Sequence, residues 1–200
     1  MATPLLDMLC RILSSLPPAA LGDLQKKDWF GLPQVNEISV PAAAETIRIY
    51  LLSVSGLKKR LSLIGMAYCS LIKLNALWPW MLYCVDSTKL DDSNLRCALD
   101  TMCRLSGRDL GYCSLIKEPY QYYCFVTSHE ESLTKSTLSC FCLSSPFPCV
   151  AVYQAPEQGV LSSFTLCVLE QLFGGTPAKF RRGIYPSPTS AFEAARKYYQ

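Results

Sequence analysis

The 200-residue chain has one histidine, His129, and no Cys-x-x-Cys pair. It also lacks an uninterrupted apolar stretch of the roughly 20 residues that a membrane helix needs. Each shortage excludes something. A single imidazole cannot supply both a catalytic triad and a metal site, and cysteines without paired short spacing do not form a zinc motif. The best membrane candidate, 61–85, is interrupted by Lys73, Asn75 and Pro79. Asp7 and Arg11 stand where the apolar core of a secretory signal would lie. A soluble intracellular chain is the expectation.

Enzyme signatures are missing as well. There is no Gly-x-Ser-x-Gly elbow, and Gly174-Gly175 stands alone without the lysine and hydroxyl residue of a phosphate loop. The acidic pairs Asp91-Asp92 and Glu130-Glu131 are sequence neighbours, which generally point apart and read as solvated turn charges. A cysteine nucleophile using His129 as base lacks any orienting motif. The sequence therefore reads as non-enzymatic, with no cofactor and no metal; a thiol-dependent enzyme is the weakest alternative.

Half the residues are apolar and only 18% are charged, enough to build a real core. The eleven cysteines are an odd number and scattered, which argues against a fully paired disulfide framework and for buried free thiols acting as small hydrophobes. Cys140 and Cys142, one residue apart, fit the alternating inward and outward positions of a strand. The net charge is +3, but its distribution matters more than its sum. Residues 1–175 hold 14 basic and 15 acidic side chains, whereas residues 176–200 hold five basic and one acidic.

The first 77 residues read as short helices separated by prolines, with a core of Leu, Ile and Trp. Leu5, Leu6, Leu9, Ile12, Leu13 and Leu16 have helical spacing between Pro4 and Pro17-Pro18. Further helices are expected over 19–29, over 41–52 with Ile47, Leu51 and Leu52 on one face, and over 58–77. After Trp78 the pattern becomes mixed. Strands are expected over 80–85, 120–127, 137–143 and 148–153, and helices over 91–106, 160–173 (capped by Gly174-Gly175) and 190–199. The fold class is thus α+β, a helical bundle over 1–77 followed by a small, mostly antiparallel sheet with packed helices over 78–200. The hexapeptide Tyr-Cys-Ser-Leu-Ile-Lys occurs at 68–73 and again at 112–117, but the flanks do not match and no repeat architecture follows.

The remaining signal is basic. Lys58-Lys59-Arg60 forms a tight cluster, and Lys179, Arg181 and Arg182 share a loop with Phe180 and Tyr185 ahead of Arg196-Lys197. Such groups can follow a phosphate backbone without reading bases. The alternative is a protein-interaction adaptor in which these cations meet an acidic partner and DNA is not bound.

The order of residues in 5–17, followed by Leu24 and Asp28-Trp-Phe30, resembles the opening of the centromere protein N (CENP-N) family. The likeness continues through Trp78-Pro-Trp-Met, 91–106, 122–127, 139–146, the Leu-rich segment ending near Phe173, and Lys179-Phe-Arg-Arg leading to Tyr198-Tyr-Gln200. It extends over essentially the whole chain at low identity. This resemblance implies a pyrin-like, death-fold helical bundle at the N-terminus and an inner-kinetochore subunit of the nucleus, binding the CENP-A nucleosome and duplex DNA through a basic groove. It further implies histone contacts at Asp7 and Arg11 and groove cations at Lys135, Arg181 and Arg182. Cys10, Ser15 and Ala42-Ala43-Ala44 depart from positions where relatives carry cations, so direct reading of the specialised histone is expected to be weakened. Family length exceeds 200 residues, and the segment that would bind CENP-L is expected to be missing here.

Overall fold

The computed structural model describes residues 3–27, 31–35, 38–85, 92–129, 133–144, 147–155, 162–173, 178–179 and 183–199. Four helices come first: α1 (Pro4–Ser14), α2 (Pro18–Lys27), α3 (Val40–Ser53) and α4 (Leu57–Lys73). Strand β1 (Trp80–Cys84) and helix α5 (Asp92–Leu105) follow. A meander comes next, built from β2 (Arg108–Lys117), β3 (Tyr120–His129), a 3-10 turn at Leu133–Lys135, β4 (Ser136–Ser144) and β5 (Cys149–Tyr153). Helix α6 (Ser163–Phe173), the two-residue strand β6 (Ala178–Lys179) and helix α7 (Pro188–Tyr199) complete the order.

Local chemistry explains most boundaries. In α1 a first-turn proline costs no hydrogen bond, Asp7 and Arg11 have the signs that suit the helix dipole, and Leu5, Leu6, Leu9 and Leu13 form the buried stripe. Ser39 caps α3 by accepting the Ala42 N–H at 3.4 Å. At the start of α7, Ser187 and Ser190 cap reciprocally: the Ser190 N–H donates to Ser187 Oγ at 3.2 Å and the Ser187 N–H to Ser190 Oγ at 3.1 Å. Helix α4 stops at Lys73 rather than continuing to Leu77, and Asn75 takes a left-handed turn with φ of 52°.

All strand pairs are antiparallel, in the order β2-β3-β4-β5-β1-β6. Helices cover both faces. One face carries Cys124, Cys140, Cys142, Ala151 and Tyr153 against residues of α1, α3, α4 and α7, all in one buried cluster. The other carries Tyr123, Phe125, Phe141 and Val152 against Leu95 and Leu99 of α5 and Val168 and Phe173 of α6. Alternation along each strand divides its side chains between these two cores. Cys140 and Cys142 therefore lie on the same face, both fully buried, with Phe141 on the other; a sheet covered on both sides offers them no outward position.

Helix α4 and strand β2 approach each other closely. Gly65 of α4 lies over the backbone of β3 and β2, and a Cβ added to Gly111 would fall inside the backbone of Leu61 and Ser62. Glycine at 111 is what lets the helix sit on the strand. Tyr68 fastens the other side of α4, donating its buried hydroxyl to the Leu5 carbonyl at 2.9 Å.

Two readings are corrected. Leu52 does not share the inward face of Ile47 and Leu51 but is 42% exposed. Trp29, the tryptophan of the expected helical core, lies outside the described residues, and Trp80 of β1 is fully buried. Residues 108–117, which the sequence reading left without an element, form the ten-residue strand β2. The expected start of α6 at Val160 and its Gly174-Gly175 cap lie outside the described residues.

Candidate nucleic-acid interface

Three elements converge at the N-terminal end of β2. Helix α5 runs past it, the first turn of α4 approaches from the other layer, and the strand enters between them. They enclose an open groove of about 720 Å³ lined by Lys58, Arg96, Asp100, Arg104, Arg108 and neighbouring polar and thiol side chains. Four cations thus share the groove with one carboxylate.

Helical periodicity produces this arrangement. Arg96, Asp100 and Arg104 are spaced four residues apart, so they lie in one row along α5, with Ser93, Cys97 and Thr101 in the adjacent row. Arg104 Nη2 donates to Thr101 Oγ1 at 3.5 Å. Arg108 is positioned by its strand: its guanidinium stacks over the Phe164 ring, 5.1 Å from the centroid, and Nη1 reaches Thr127 Oγ1 at 3.5 Å. These contacts aim the guanidinium while leaving donors for an anion.

The groove also holds a thiol, Cys103. Burial pushes it up from the usual 9.0 to about 11, with Arg108 and Lys58 pulling it down and Asp100 and Asp109 pushing it up. At neutral pH it remains protonated, a poor nucleophile. The other shifted thiols, Cys10, Cys113, Cys124 and Cys142, are raised too. Burial is the first cause for all but Cys113, where a hydrogen bond to Cys69 comes first. Among the described residues no group of three or more His, Cys, Asp or Glu side chains could hold a metal, and no helix is long and apolar enough to cross a membrane.

The residues expected from sequence are distributed unevenly around this groove. Lys58 lines it, and Lys59 is exposed beside it at the start of α4. Arg60 does not belong to the surface cluster. Its Nη2 donates to the Val54 carbonyl at 2.8 Å, closing the end of α3, and its Nε is buried without a partner. Arg11 and Asp7 lie elsewhere, along α1. They share a hollow of about 500 Å³ with Cys10 and Arg48, and Arg11 also borders a cleft of about 410 Å³ with Met8, Ile12 and Trp78. Asp7 accepts an ion pair from Arg48 at 2.8 Å, so its carboxylate is already neutralised within the fold.

Lys135 is exposed on the 3-10 turn, and Arg196 is exposed in the last turn of α7. Lys179 belongs to β6, paired with Tyr83. Arg181 and Arg182 lie outside the described residues. Arg96, Arg104 and Arg108 were missed because no two are adjacent and Asp100 and Asp109 are interleaved with them; the row at 96, 100 and 104 was the available signal. No family model matches this sequence, and comparison with characterised proteins gives no match.

Proposed function

We propose that this chain is a non-enzymatic binding protein whose groove at α5, the start of α4 and β2 takes the phosphate backbone of duplex DNA. The observation that carries this reading is the convergence of Lys58, Arg96, Arg104 and Arg108 on one open groove with a single carboxylate. Guanidinium groups suit phosphate because their fork of donors matches two oxygens at once. Phosphate contacts carry no sequence information, so binding through these cations is sequence-tolerant.

The resemblance to the CENP-N family makes the finer proposal. It supports α1–α4 as a pyrin-like unit, the DNA as that of a CENP-A nucleosome at the kinetochore, and CENP-L as a further partner. Within that proposal the histone contacts are Asp7 and Arg11, and Asp7 would meet the histone while ion-paired with Arg48.

Fluorescence polarisation of a labelled random duplex, titrated across a salt series, tests the groove. Arg96→Ala with Arg104→Ala is expected to weaken binding alike for unrelated sequences. It should also reduce the slope of log K against log salt by about 2, roughly one unit per lost phosphate contact. An unchanged slope overturns the assignment. The adaptor reading is favoured by a different observation, the exposed Ile38, Ile49 and Leu52 beside and along α3. It predicts no salt-dependent duplex binding by the wild type.

A further inference from the structure

Among the described residues strand β2 is an edge of the sheet, and its central stretch carries none of the charges, prolines or bulges that ordinarily protect an edge. Its ten residues pair with β3 in unbroken register from Arg108 opposite His129 to Lys117 opposite Tyr120, without a bulge. Between Leu110 and Ile116 there is no charge and no proline, and Ile116 is 68% exposed. Among the described residues no strand pairs with the free side. Such an edge presents a row of N–H and C=O groups that templates a further strand.

We infer that β2 pairs antiparallel with β2 of a second copy of this chain, about a two-fold axis through Cys113, joining the two sheets edge to edge. Charge complementarity selects both the occupant and the register. With Cys113 on the axis, Asp109 of each copy faces Lys117 of the other, and Leu110 faces Ile116. Asp109 and Lys117 then each meet an opposite charge, and the exposed isoleucine is covered. Moving the axis to Tyr112 sets Asp109 against Leu115, and moving it to Ser114 sets Asp109 against Pro119; neither leaves an ion pair. Asp109 and Lys117 are in no ion pair within the copy among the described residues. Opposite residues of an antiparallel pair share a face, so α4 abuts α4 and α5 abuts α5 across the junction.

Sedimentation velocity of the full chain without DNA, over a concentration series, tests the inference. The wild type should dimerise reversibly. Asp109→Lys alone and Lys117→Asp alone each put like charges opposite one another twice per dimer, and each should weaken self-association at least about tenfold. An equimolar mixture of the two variants restores opposite charges at both ends and should form a one-to-one heterodimer. Lys117 is exposed and Asp109 half-buried, both on the edge strand and neither among the residues lining the DNA groove, and circular dichroism checks that each variant is folded. A wild type that stays monomeric overturns the proposal and leaves the edge to a strand of another protein. Single variants that dimerise like the wild type, or a mixture that stays monomeric, overturn the register. Duplex binding is measured separately through Arg96 and Arg104, so either result can fail without the other.

Discussion

Single residues in this chain act through constraints that composition does not display. Gly111 has no side chain because the backbone of α4 occupies the place where one would be. Gly111→Ala should therefore lower stability by about 3 kcal/mol, the upper range for overpacking, since a backbone rather than a flexible side chain must move; the shift in urea midpoint measures it. Lys58 and Arg60, two positions apart in one basic cluster, have different tasks. Lys58→Ala should reduce duplex affinity and its salt slope without altering stability. Arg60→Ala should leave the salt slope unchanged and lower stability by about 1 kcal/mol, because it removes the charged donor to the Val54 carbonyl. Paired polarisation and denaturation measurements separate the two. Asp7 shows the same principle: its helical position was legible, but its ion pair with Arg48, 41 residues away in α3, was not.

At the scale of elements, legibility followed periodicity. Helices α1 and α5 were evident from apolar residues recurring at 3.6, strand β4 from alternation, and β3 and β5 from continuous aromatic, β-branched and apolar runs. Strand β2 was not, and the reason is visible in the hexapeptide at 68–73 and 112–117. The same six residues are helical in α4 and extended in β2, so their intrinsic preferences decide nothing and their neighbours decide everything. In α4, Tyr68 is anchored to α1; in β2, Gly111 and pairing with β3 hold the chain extended. The two copies also touch, since Cys113 is hydrogen-bonded to Cys69, the equivalent residue of the other copy. The groove was legible only in part for a related reason. Periodicity of α5 aligns Arg96 with Arg104, whereas bringing Lys58 and Arg108 to them requires packing across two layers.

The whole molecule is a sheet with an apolar core on each side, and many of its titratable groups are buried thiols and phenols. Cys103 is raised to about 11, and burial also raises Tyr68, Tyr122, Tyr153, Cys124 and Cys142. For these acids the folded state holds its protons more tightly than the unfolded chain. Their contribution to stability is complete below the unfolded values and is lost as pH rises through the folded ones. Denaturation midpoints should therefore be flat with respect to these groups near neutrality and fall from about pH 9 upward. Cys103→Ala should remove its share of the fall between pH 9 and 11. At this scale the α+β class with an antiparallel sheet was readable from the order of patterns. The coverage of both sheet faces was not, because a strand buried on two sides and one buried on a single side are both rich in apolar residues.

The length of β2 has a metric consequence. Ten residues of antiparallel strand span about 34 Å, so the axis through Cys113 would set the two copies of Arg108 about that far apart. That is close to the pitch of B-form DNA, the 34–36 Å that separates successive half-sites bound by two-fold protein dimers. Two basic grooves carried on the same side of a joined sheet would then meet a straight duplex at the same angular phase. The edge strand would serve as a ruler, matching protein spacing to the helical repeat without contacting a base.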